Sequence, residues 1–114
     1  MKLIDTKISV AELTEMSKKM HEELVKAVVD IQKEIMVVDA ELHSDQECFL
    51  LEQESEQKNL WGINLYPKKF GREGWVEFDS MINIRPVDDN RSRGVENPKI
   101  QEKIVKIVNK LVKK

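Results

Sequence analysis

The chain is short of most residues that would announce its chemistry. Its 114 residues hold one cysteine, Cys48, so no internal disulfide can form and no paired-cysteine metal motif exists. A lone thiol, together with an MKLIDTKIS start that has no apolar leader, places the expected location in the cytoplasm. Three prolines and four glycines are too few for long flexible linkers, and a single domain over 1–114 is expected. No apolar run reaches the roughly 18 residues of a membrane span. The glycines build no phosphate loop, and no serine stands at a strand-to-helix elbow. The aromatics Trp61, Tyr66 and Trp75 are expected in the core, although each could stack on a base. Cys48, flanked by Phe49 and Leu50, reads as a small buried hydrophobe.

Charge is plentiful but unevenly spread. The net of −2 hides an acidic first part and a basic second part. Residues 1–66 carry seven lysines against fourteen acids, a net of −7; residues 67–114 carry twelve bases against seven acids, a net of +5. A lysine-rich outer face on a C-terminal helix accounts for the second value. A surface for nucleic acid or another polyanion is the sharper alternative, weakened by the overall acidity. Self-association of acidic and basic parts, as a homodimer, is a third.

Ile8 to Leu13 reads as a helix start. Ser9 can cap the amide three residues on, Glu12 can reach back, and Ile8 and Leu13 form a hydrophobic staple. Apolar residues then recur at Val10, Leu13, Met16, Met20, Leu24, Val28, Ile31 and Ile35, which predicts one helix from about 10 to 36. Val37 to His43 reads as a strand, 44–46 as a turn, and 48–51 as the next strand. The 52–59 segment is expected to be a loop. Trp61, Ile63 and Leu65 alternate with polar or small residues in a strand ended by Pro67. Trp75 to Arg85 is the longest strand candidate. Asn97-Pro98 opens a final helix whose stripe is Ile100, Ile104, Ile107, Val108 and Leu111. The predicted fold is a two-layer α+β domain. It has a long N-terminal helix, an antiparallel meander of three to four strands, and the C-terminal helix on the same face.

Three residue groups could carry chemistry. Glu41, His43 and Asp45 share parity, with Glu47 beyond; on a strand they would project together and could ligate a divalent metal, or Glu41 and His43 could form an acid–base pair. The plainer use is a wet strand face. Asn64, Asp79 and Asn83 fall opposite in parity to the apolar residues, so they predict a polar sheet face that fixes register or binds a ligand. Arginine is scarce, yet Arg85, Arg91 and Arg93 lie within nine residues beside Asn90. Their planar forks suit a carboxylate or phosphate, with the start of the final helix alongside. Internal pairing with Asp79, Asp88, Asp89 or Glu96 is the rival.

The segments VKAVVDIQKEI, ELHSDQE, NLWGINLYP and FDSMINIRPVDDNRSRGVENP resemble a family of small single-domain prokaryotic proteins of unknown function. The resemblance implies a free-standing domain and supplies no catalytic residues. The expected function is therefore a ligand- or anion-binding, regulatory domain for a phosphate-containing or other anionic ligand, with no cofactor required. A small metal-assisted hydrolase or nuclease, and a homodimeric interaction module, are the alternatives.

Overall fold

Two short strands, β1 (Lys2–Ile4) and β2 (Ile8–Ser9), precede the first helix, α1 (Val10–Met20). The computed structural model describes every residue from Met1 to Lys114. Ser9 Oγ accepts the Glu12 amide at 3.1 Å, satisfying one of the free donors of the first turn. Glu12 does not reach back; its carboxylate pairs with Lys2 at 3.1 Å.

The helix expected to run to residue 36 ends at Met20. Glu22 takes a left-handed backbone, φ 61°, so the stop occurs without the glycine that commonly marks one. The Val-rich continuation is a hairpin, β3 (Val25–Asp30) and β4 (Ile35–Val38). β-branched side chains, stiff at χ1, fit this pleat. Asp30 holds the turn: Oδ1 accepts the amides of Gln32 and Lys33 at 2.9 and 3.0 Å, and Oδ2 accepts the Ser55 hydroxyl at 2.6 Å.

Of the strand expected over 37–43 only Val37 and Val38 are extended, in β4, and the segment expected as a strand over 48–51 is helical. Beyond Val38 the chain turns and enters a helix, α2 (His43–Glu52). Its buried positions are His43, Gln46 and Leu50. That spacing is helical, but its first two members are polar, so no apolar stripe reveals it. The strand β5 (Leu60–Leu65) lies where alternation placed it. The strand expected from Trp75 to Arg85 shrinks to β6 (Val76–Glu77), followed by single 3-10 turns at Met81–Asn83 and Pro86–Asp88. Asn97 Oδ1 accepts the Lys99 amide at 2.9 Å and starts α3 (Pro98–Leu111). A last strand, β7 (Val112–Lys113), pairs in parallel with β2.

The class is α+β, around a five-stranded antiparallel sheet in the order β1-β4-β3-β5-β6. Both terminal helices pack on one face, as the pattern predicts. There Leu13, Ile104, Ile107, Val108 and Leu111 meet Val25, Ala27, Val29, Met36, Val38, Trp61, Ile63 and Leu65. The other face holds α2, where Leu50 meets Val28, Val37 and Leu60. This second helical layer replaces the open polar face of the sequence reading. Because α2 carries the chain across the sheet, β5 enters beside β3 and the strands do not form a simple meander.

Candidate functional site

The outer edge of β5 pairs with β6 only at Asn64 and Leu65. Side chains from the 79–97 loop complete the rest. Asn83 Oδ1 accepts the Gly62 amide at 2.8 Å, and its Nδ2 donates to the Gly62 carbonyl at 2.9 Å, so one side-chain amide takes the place of a strand backbone. Arg85 Nη1 donates to the Leu60 carbonyl at 2.7 Å. A side chain at position 62 would collide with Ser80, whose Cβ and Oγ lie 2.5 Å from where a Cβ would stand. Glycine permits this approach.

Asn90 organises the loop. Its two Nδ2 hydrogens are shared among the carbonyls of Asn83, Ser92 and Gly94, at 2.8, 3.1 and 2.8 Å, while Oδ1 accepts the Glu96 amide at 2.8 Å. Glu96 Oε2 in turn accepts the amides of Arg91 and Ser92, both at 2.8 Å. These hydrogen bonds hold the Glu96 carboxyl below its ordinary pKa. Arg85 is buried over the Trp61 ring, 4.4 Å from its centroid, with Nε 3.0 Å from Asp88. Burial lowers its pKa, opposed chiefly by the Asp88 charge.

On the inner side of this loop, His43 opens α2 and reaches down to the sheet. Its Nε2 lies 2.7 Å from the Ile63 carbonyl. Because a carbonyl only accepts, Nε2 carries the proton and Nδ1 carries the lone pair. Nδ1 makes no hydrogen bond within the chain and is not a buried atom. Burial, first, lowers the His43 pKa; the Lys26 charge adds to this, against the Ile63 hydrogen bond and the Asp79 charge. Gln46, one turn on, donates to the Lys26 carbonyl at 2.8 Å. Asn64 donates to Glu77 at 2.8 Å. The Gln46 Oε1 and Asn64 Oδ1 atoms are buried without partners.

A cavity of about 220 Å³ lies between the start of α2 and the 79–97 loop, lined by Lys26, Leu42, His43, Ser44, Ser80, Met81, Ile82 and Arg93. Lys26 forms no ion pair. Arg93 uses Nε for Asp79, at 2.6 Å, and both residues remain half-exposed. Leu42 supplies no side-chain cap to α2, so the first amides of the helix have no side-chain acceptor.

Of the residues singled out from sequence, His43 and Arg93 line this cavity. Arg85 and Asn90 are spent inside the loop, and Arg91 points outward, exposed and unpaired. Internal pairing is realised for Arg85 with Asp88 and for Arg93 with Asp79. Asn83 sits on a turn at the sheet edge, and Asn64 does face α2 from β5. Glu41, His43 and Asp45 do not share a strand face, because helix geometry turns successive residues by about 100°. No three His, Cys, Asp or Glu side chains come together in a metal-binding group. Sequence reasoning missed Lys26, Ser44 and Ser80. A lysine inside the VKAVVD run was the one available signal, since a charge in an otherwise apolar strand needs a reason.

The family described as "Protein of unknown function (DUF5674)" matches residues 2–111. No curated protein and no solved structure matches the chain. No helix is long and apolar enough to cross a membrane.

Proposed function

Because this chain belongs to a family of unknown function, DUF5674, we propose its role from its own geometry: it binds a small oxyanion, of the phosphate-containing class, in the cavity between α2 and the 79–97 loop. The observation that carries this reading is the convergence of Lys26, Arg93, Ser44 and Ser80 on one cavity at an uncapped helix start. Two cations supply charge. Two hydroxyls and the helix amides supply directed donors, and the positive end of the helix dipole adds to both. The loop skeleton built by Asn83 and Asn90 holds Arg93 in place before any ligand arrives, which limits the ordering cost of binding.

Calorimetry with inorganic phosphate tests the proposal. Saturable binding is expected. A charge-assisted hydrogen bond contributes about 1.5–3 kcal/mol where water is excluded and less where it is not. Lys26→Gln and Arg93→Gln are therefore each expected to weaken binding about tenfold. Absence of binding, or binding indifferent to both substitutions, would overturn it.

A further inference from the structure

Most of the cavity wall binds; one group in it can also react. His43 is the only lining residue with an uncharged nitrogen lone pair at hand. Its Nε2 is committed to the Ile63 carbonyl, so the ring cannot rotate or change tautomer without leaving that carbonyl. Nδ1 is thus fixed as the nucleophilic atom. The ring sits on the first residue of α2, beside the amides and cations proposed above to hold an oxyanion.

We propose that His43 accepts a phosphoryl group: its Nδ1 attacks the phosphorus of an acyl phosphate or phosphoanhydride held between Lys26 and Arg93. This inference rests on the oxyanion reading. An N–P bond forms at Nδ1 as the P–O bond to the leaving group breaks, and the leaving oxygen departs with that electron pair. Nε2 keeps its proton on the Ile63 carbonyl, which faces the positive charge gained by the ring. Lys26 and Arg93 offset the charge spread over the phosphoryl oxygens. The donor class follows from the cavity wall. No carboxylic acid lines it, so no such group stands ready to protonate a basic alkoxide. The leaving group must therefore depart as a stable anion, as a carboxylate or a phosphate does.

Acetyl phosphate incubated with the full chain is the test, read by phosphorus NMR and by peptide mapping in alkali. One phosphate on His43 Nδ1, lost on acidification, is expected. The chain has two histidines. His21, whose Nε2 lies 3.3 Å from the Ala40 carbonyl, is outside the cavity, so His21→Gln is expected to keep the modification. His43→Gln is expected to abolish it while its amide still donates to Ile63, with the melting temperature verifying the fold. Lys26→Gln leaves the imidazole in place and is expected to slow modification at least about tenfold. Modification of His21 instead, or none while inorganic phosphate still binds, overturns the phosphoryl-acceptor role and leaves the oxyanion site standing. Failure of phosphate to bind at all overturns both.

Discussion

Val25, Ala27, Val29, Trp61, Ile63 and Leu65 face α1 and α3, while Lys26, Val28, Asp30, Gly62 and Asn64 face α2; the same two strands supply both sets. The first set belongs to an apolar cluster of 18 buried residues; of the second, only Val28 joins an apolar cluster, one of four. Of the ten buried polar residues, only Ser17 lies on α1, and the rest lie on the α2 side or in the loop beside it. An apolar face is held by area and volume, and it tolerates exchange of like for like. A buried polar face must have each donor and acceptor met, so its residues are specific and its geometry is preset. One face thus accounts for most of the stability, and the other positions groups that can recognise something.

The largest effect separating the faces is expected from cavity-forming substitutions. Ile104→Ala, in the 18-residue cluster, is expected to cost about 2–5 kcal/mol in urea unfolding. Leu50→Ala, in the four-residue cluster, is expected at the low end of that range, since a small cluster near the surface can close around the gap. A larger loss at Leu50 would show that the α2 face carries the greater share of the stability.

Gly62→Ala comes next. The added methyl would have to displace Cβ and Oγ of Ser80, at about 1–3 kcal/mol. Chemical shifts over 80–93 are expected to move while those of α3 stay. Unmoved loop shifts would show that the loop does not depend on this approach.

A smaller effect is expected from pH. Burial and Lys26 hold the folded His43 below its ordinary value of 6.5. As pH falls through about 6.5, the unfolded chain takes up this proton first, so stability declines there and levels off below the folded pKa. Melting curves of the parent and His43→Gln between about pH 7.5 and pH 5 should differ in this slope. Equal slopes would mean that the His43 pKa is not lowered by folding.

The legible parts of this fold were those where local signals agree with tertiary use. Ser9 and Asn97 cap their helices, and the alternation at Trp61, Ile63 and Leu65 marks a strand. The failures share a cause. Val28, Ile31 and Ile35 satisfy helical spacing by coincidence of a hairpin, and the stop after Met20 depends on a left-handed glutamate. The start of α2 has no capping side chain and buries a histidine and a glutamine. Its polar inner stripe both hid the helix and built the candidate site. The arginine loop was visible from composition, but which arginine faces a cavity depends on Asn83 and Asn90, whose bonds span up to 21 residues.

The smallest stability change is expected at Arg93. Its ion pair with Asp79 is half-exposed, so Arg93→Ala should leave the melting temperature nearly unchanged. It should nevertheless remove most of the melting-temperature gain given by phosphate. A large loss of stability with an unchanged phosphate response would make Arg93 a structural residue only.

The α3 surface supplies the sharpest control, because Lys99, Lys103, Lys106 and Lys110 line one open groove there with Glu34 and Glu102. That groove holds four lysines against two acids, and the helix start at its end is already capped by Asn97. Amide chemical shifts followed during titration with inorganic phosphate therefore test the oxyanion site of the α2 cavity. Saturating shifts at His43, Ser44, Ser80 and Arg93, with α3 unchanged, are the predicted result. Shifts confined to the α3 lysines, or weak shifts spread over all lysines, would contradict it.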